Sequence, residues 1–268
     1  MSTASYAVTD SATMLRRNLR HMLRYPSMTL FLVGMPVVFL LLFVYVFGGT
    51  LGAGLGGPST GGTGGGRAEY VNYVTPGILL MAVAAAVQGT AISVAMDMTE
   101  GIVARFRTMA IWRSSVLTGH VLGSVIQSML CVAVVAGVAL AIGFRPTAGP
   151  VEWAAAAAVL VMVSFALTWL TVALGLVTRS VETARNLPMP LVFLPFLGSG
   201  FVPTDSMPAG LRAFAEYQPF TPVIETVRGL LMGTPIGSSA VIAGAWCAGI
   251  TLAGYLWALT LFNRDPSS

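Results

Sequence analysis

The chain has 268 residues, 56% of them hydrophobic and only 9% charged, with a mean hydropathy of +0.82. A soluble domain carries about 25% charged residues, so this composition belongs to an integral membrane protein. All fourteen basic residues are arginine, which excludes a Walker A loop, since its lysine holds the β- and γ-phosphates. The arginines also sit beside apolar runs, which argues against a nucleic-acid-binding protein.

Residues 1–10 are polar. Residues 11–25 have amphipathic phase, with Leu15, Leu19, Met22 and Leu23 on one face and Arg16, Arg17, Arg20 and Arg24 on the other. This pattern predicts an interfacial helix with its arginines on anionic headgroups. It is not that of a cleaved signal peptide, because the apolar run that follows is too long and no small-residue cleavage site closes it. Met28–Phe47 is the first expected span, twenty residues without a charge, enough to cross ~30 Å of hydrocarbon. Residues 48–66 hold eleven glycines. No lysine follows them and no strand precedes them, so they read as a flexible external linker rather than a phosphate-binding loop.

Val74–Ala95 is the second expected span, with Gln88, Thr90 and Ser93 toward its inner end. A charged island follows at about 96–114. At 3.6 residues per turn, Ile102, Val103, Phe106, Met109 and Ala110 fall on one arc. Asp97, Glu100 and Arg107 fall on the opposite arc, with Arg105 at the border. Arginines between spans serve to set topology in many loops. Here the amphipathic phase persists over three turns, which favours a helix lying at the membrane surface and presenting its polar face to a cytoplasmic partner.

Val116–Ile142 and Trp153–Val177 are the third and fourth expected spans, and Thr178–Asn186 is expected to be a short charged loop. The fifth, Leu187–Val202, is short and interrupted by Pro188, Pro190, Pro195, Gly198 and Gly200. Its freed carbonyls require protein partners, so it belongs inside the protein rather than against bulk lipid. Between 203 and 235, Ala209–Tyr217 and Val223–Met232 are each too short to cross and are expected as short helices on, or dipping into, the outer surface. Ser238–Phe262 is the sixth expected span, and Asn263–Ser268 a short tail.

Six spans place both termini on one side. With the N-terminus inside, Arg16, Arg17, Arg20, Arg24, Arg105, Arg107, Arg113, Arg179, Arg185 and Arg264 are cytoplasmic, against Arg67, Arg145, Arg212 and Arg228 outside. That asymmetry puts both termini and the charged island in the cytoplasm. The expected architecture is an all-α integral membrane protein of one domain, 1–268. It has six transmembrane helices, an N-terminal interfacial helix, a cytoplasmic helix at about 96–114 and external re-entrant helices at about 205–233.

The expected spans carry no Asp, Glu, Arg or His near their centres. Ion-coupled transporters use such residues as relays, so an outside energy source is favoured. Leu197-Gly198-Ser199-Gly200 lacks the first glycine of a Gly-x-Ser-Gly nucleophile motif, and no histidine lies deep in a later span to serve as its base. Cys131 and Cys247 sit in apolar runs as small packing residues, and His21 and His120 share no metal-ligand spacing with them. Gln88, Gln127, Ser128, Ser164, Thr168 and Thr171 are polar groups within spans, expected first to join helices by hydrogen bonds and second to line a path.

Glu100-Gly101-Ile102-Val103, Arg105-Phe106-Arg107, Arg113-Ser114 and Val116-Leu117-Thr118-Gly119 resemble the cytoplasmic loop of ABC exporter permeases of the second export type. The likeness is to the daunorubicin-resistance permease group of actinobacteria. A second stretch agrees: Gly200-Phe201-Val202-Pro203-Thr204, Met207-Pro208, Leu211-Arg212, Phe214, Gln218-Pro219, Thr221-Pro222, Glu225 and Arg228. The two patches fall in the family order and, with the amphipathic start and six spans, the resemblance covers nearly the whole chain. It implies that Glu100, Gly101, Arg105, Phe106 and Arg107 belong to a coupling helix seated in a groove of a separate ATPase subunit. It also implies that the piece after the fifth span re-enters the membrane. Ala110 stands where the family often has proline and His120 where it often has arginine, so the coupling helix is expected to run straighter into the third span.

The resemblance implies the membrane half of an ATP-driven exporter in a bacterial plasma membrane, not an enzyme by itself. It would work as a homodimer, or a heterodimer with a similar permease. No cofactor is expected in this chain, ATP and Mg being bound by the partner ATPase. The expected cargo is an amphiphilic drug or lipid entering from the bilayer. Gln88 and Thr90 of the second span and Phe193 and Phe196 of the fifth are expected to line its path, with Phe201 adding aromatic contact. The alternative is a non-transporting membrane anchor or regulatory subunit of an enzyme complex. An adjacent ATPase gene distinguishes the two.

Overall fold

A computed structural model describes residues 26–55, 66–99, 113–178 and 180–262. The described residues are helical apart from turns and short loops, with no strand among them. Among the described residues, five helices are long and apolar enough to cross a membrane.

Helix α1, Pro26–Leu42, passes through a π-helical turn at Phe43–Phe47 into α2, Gly48–Leu55. The expected linker therefore begins later than composition suggests. Glycine costs a helix interior about 1 kcal/mol relative to alanine, but tertiary contact offsets this here. The Arg67 guanidinium lies 4.7 Å over the Tyr45 ring, and a side chain at Gly48 would touch Arg67.

Helix α3, Arg67–Thr99, is the hub. It is apolar on all faces, as a helix enclosed by others must be, and packs against α1 and every later long helix except the last. Helix α4, Arg113–Ala141, stops at Gly143, whose φ of +114° suits glycine; the Phe144 N–H reaches back to Ala139 O at 2.9 Å and closes the end. The following loop is tied down where the Arg145 N–H donates to Asn72 Oδ1 and the Thr147 N–H to Leu231 O. Helix α5, Pro150–Val177, has proline at its first position and Glu152 in its first turn, both favourable at a helix N-terminus.

The segment expected to be a charged loop is partly helical. Helix α6, Val181–Asn186, is capped by Ser180, whose Oγ accepts from the Thr183 N–H at 3.2 Å. Glu182 in its first turn and Arg185 in its last complement the helix dipole. The expected fifth span, Leu187–Val202, is not one helix. After a turn at Leu187 and Pro188 come α7, Met189–Phe193, and a 3₁₀ turn, Leu194–Leu197. Proline supplies no N–H, so Pro188, Pro190 and Pro195 break the ladder into pieces, none long enough to cross alone. The pieces nevertheless run antiparallel along α3: Gln88 meets Arg185, and Tyr73 meets Ser199.

A 3₁₀ turn at Thr204–Ser206 leads to α8, Ala209–Tyr217, and α9, Phe220–Met232. The boundaries of α8 are those expected, whereas α9 starts three residues early, with Pro222 in its first turn. Helix α9 packs into the core and ends at Gly233, φ +70°. Helix α10, Ser239–Phe262, lies outermost against α5. Small residues set the closest contacts: a Cβ at Gly254 would come within 2.8 Å of the Leu170 backbone, and one at Gly175 within 2.8 Å of Ala91 O. Such contacts let membrane helices approach closely. Cys131 and Cys247 are buried in α4 and α10.

Candidate functional site

A cavity of about 730 Å³ lies between α1, the C-terminal half of α3 and the broken segment α6–α7 with the 3₁₀ turn after it. Its α3 wall is one helical face, Met81, Ala85, Gln88, Gly89, Ile92 and Met96, spaced three and four apart as residues sharing a face must be. Ala85 and Gly89 make that wall low. Opposite stand Phe39 from α1 and Phe193 and Phe196 from the broken segment, with Met35 and Met189 beside them. The polar contribution is confined to the end where Gln88, Arg185 and Asn186 meet.

The aromatic wall is held by packing. Phe196 stacks on Phe201 with ring centroids 4.3 Å apart and meets Phe39 edge-on at 5.3 Å. Phe43 sits 4.7 Å from Phe201. The polar end follows from the prolines. The break at Pro188 and Pro190 leaves carbonyls for side-chain donors, and Gln88 Nε2 donates to Arg185 O at 2.7 Å.

Three of the four expected path residues, Gln88, Phe193 and Phe196, come together at this cavity. Thr90 does not. It is buried against α4, donating to Ser124 Oγ at 2.6 Å. It lies two positions after Gln88, and at 100° per residue that turns its side chain to another face. Thr168 extends the seam, 3.3 Å from Ser124 Oγ, in the helix-joining role expected first for such groups. Phe201 is buried behind Phe196 rather than lining the space. Sequence reasoning missed Phe39, the methionines and Arg185. The spacing from Met81 to Met96 around two small residues was the available signal.

Glu100, Gly101, Arg105, Phe106 and Arg107 lie outside the described residues. Their flanks do not. Near the ends of α3 and α4 that lead into this stretch, Asp97 Oδ2 and His120 Nε2 are 3.0 Å apart and buried. Joining the two helices there fixes the separation of the stretch's roots.

A second polar centre sits at the opposite end of α3. Arg228 of α9 donates from Nη2 to Ser199 O at 2.6 Å and to Tyr73 O at 3.3 Å, with its guanidinium 4.0 Å over the Tyr73 ring. Burial lowers its pKa, opposed by Tyr73 and Glu225. Arg228, expected in an external segment, is thus partly buried where it binds the Ser199 carbonyl of the broken segment and the Tyr73 carbonyl of α3. On the surface nearby, Arg212 bonds Glu216 and Asp205.

The ABC-2 type transporter family model matches residues 10–232, a stretch that holds the cavity, the charged island and helices α8 and α9. The chain belongs to the ABC-2 type transporter family. The permease is similar to the daunorubicin resistance ABC transporter permease protein DrrB1 of Streptomyces coeruleorubidus, 30% identical over 247 residues, covering 92% of this chain and 80% of that one. It is also similar to the probable doxorubicin resistance ABC transporter permease protein DrrC of Mycobacterium tuberculosis H37Rv, 26% identical over 174 residues, covering 64% of this chain and 63% of that one. It is a multi-pass membrane permease subunit of an ATP-driven transporter, and its relatives are permeases rather than enzymes.

Proposed function

We propose that the permease exports amphiphilic compounds, drugs or lipids, from a bacterial plasma membrane, with the cavity between α1, α3 and the broken segment as the entry site. The observation that carries this is the cavity's composition: aromatic and methionine walls with polarity at one end. A hydrophilic ion entering such walls would lose hydration at several kcal/mol per group, whereas a planar aromatic or a lipid chain gains contact. The drug-resistance relatives support the same class of cargo.

The chain crosses six times in this reading, both termini cytoplasmic. Five crossings are the long helices, and the sixth is the broken segment, running from the Gln88–Arg185 contact to the Tyr73–Ser199 contact. The fifteen residues of α3 between those contacts rise about 22 Å, which supports a traverse. Helices α8 and α9 are the external re-entrant pair. Glu100, Gly101, Arg105, Phe106 and Arg107 seat on the ATPase, which holds ATP and Mg. Two permeases, identical or similar, stand above two ATPase subunits. ATP closes the ATPase pair, the coupling helices move, and the spans rock to expel cargo.

The test is an efflux panel of anthracycline-like dyes, lipids and small charged solutes in cells expressing the permease with its ATPase. Dyes or lipids are expected to be exported, with Phe193→Ala and Gln88→Ala changing which compounds leave while insertion and ATPase binding persist. Export confined to small charged hydrophiles would contradict the reading.

A further inference from the structure

The cavity's two ends differ, and the difference has a sign. Among the described lining residues Arg185 carries the one charge. It shares its end with the amides of Gln88 and Asn186, and among the described residues no carboxylate lines that end. Glu182, one turn back on the same helix, lies off the lining, and Asp97 is turned into its contact with His120. Gln88 has committed its Nε2 to the Arg185 carbonyl, leaving the guanidinium itself for an occupant. At the other end stand Phe39 and Phe196. Arg185 and Phe196 are eleven positions apart along the segment that Pro188, Pro190 and Pro195 break.

We infer that the cargo is an amphiphile with an anionic head, a phosphate, sulfate or carboxylate, seated at Arg185, and an apolar or aromatic body lying against Phe193 and Phe196. This rests on the cavity being the entry site and adds the charge of the head. A guanidinium gives an anionic oxygen pair two parallel charge-assisted hydrogen bonds. A quaternary ammonium at the same place would meet like charge with no carboxylate to offset it. On the cytoplasmic side, where the arginine bias puts Arg185, such a head would come from the inner leaflet or from the cytosol.

The experiment uses the permease–ATPase complex in nanodiscs of neutral phosphatidylcholine. Three probes share a pyrene-decyl body and end in phosphate, hydroxyl or trimethylammonium, and binding is read by energy transfer from tryptophan to pyrene. The phosphate probe should bind about tenfold more tightly than the ammonium probe, the scale of one charge-assisted contact. Arg185→Gln should abolish the preference and Arg185→Glu should reverse it. Arg185 is exposed and its contact to Gln88 is made by its backbone, so both variants are expected to fold. Competition by phosphatidylglycerol but not by inorganic phosphate would mark a lipid source, and competition by both would mark a cytosolic one; either supports the anionic head. Equal binding of phosphate and ammonium probes, or a preference that survives Arg185→Glu, would overturn it. Phe193→Ala should weaken all three probes. If it weakens none, the cavity is not the entry site and the parent reading fails, whereas a flat charge order with Phe193→Ala still weakening binding removes only the anionic head.

Discussion

Gly77 lies where a side chain has no room. A Cβ there would come within 2.7 Å of the Gly200 backbone, at the place where the chain turns after the broken segment and returns against α3. Backbone is rigid, so even a methyl group must push the two apart, and overpacking of this kind costs about 1–3 kcal/mol. Gly77→Ala should lower the melting temperature of the detergent-solubilised permease. Gly89→Ala is the contrast: its Cβ would find only Leu32 Cδ1, at 3.9 Å, so stability should hold or rise slightly through the better helix propensity of alanine, while the cavity narrows. Equal melting of both variants would refute this account of the α3 contact. Neither consequence was legible in the sequence. Gly200 was readable as an interruption of a span, but its partner lies 123 positions earlier in the chain, and local pattern carries no information about that pairing. Arg228 was hidden for a related reason. It was placed in an external segment by topology, whereas Tyr73 and the freed Ser199 carbonyl draw it inward.

The elements themselves divide by how their signal arises. Long apolar runs announce α4, α5 and α10 within three residues, because crossing ~30 Å of hydrocarbon demands length and apolarity together, whereas α3 starts seven residues before its expected span. The broken segment was misread in register. Its prolines say that a helix breaks but not where the neighbouring pieces begin, and the charges of α6 suggested a loop. The better signal was Ser180 with Glu182 behind it, a capped start. Helix α2 was lost to composition, since its glycines read as linker and only contact with α3 holds them helical. Gln88, Phe193 and Phe196 were legible as site residues because a polar group near a span end and aromatics beside helix-breaking prolines are unusual. Thr90 failed on the angle around α3. Between α3 and α4 the proposed coupling helix carries Glu100 and Arg107 two turns apart on one face. An exposed ion pair contributes ~0–1 kcal/mol, too little to hold a complex alone. If Glu100→Ala or Arg105→Ala releases the ATPase in co-purification, or leaves it bound while hydrolysis no longer drives export, the contact is buried and hydrogen-bonded, as proposed. Normal co-purification with normal export in both variants would remove this stretch from the interface.

At the scale of the molecule, burial and exposure follow the solvent. Helix α3 is enclosed, while α10 turns Val241 at 75% and Leu252 at 60% exposure outward, and the π-helical turn after α1 exposes Val46 at 65%. In water such faces would associate; in a bilayer, hydrocarbon satisfies them, since lipid tails are as apolar as leucine. The enclosed hub, bounded by Arg228 at one end and Asp97–His120 near the other, would give the proposed rocking motion a rigid core to act against. The proposed coupling stretch follows α3 at its Asp97 end, where an ATPase would pull in this reading. All of this depends on cargo moving because a separate ATPase hydrolyses ATP. The direct measurement is flux of an amphiphilic dye across proteoliposomes holding the permease with its ATPase, with ATP supplied on the ATPase side. Dye movement should require the permease, the ATPase and ATP together, and should stop when the ATPase's Walker A lysine is replaced. ATP hydrolysis by an assembled complex with no dye or lipid movement would instead mark the chain as a non-transporting membrane anchor.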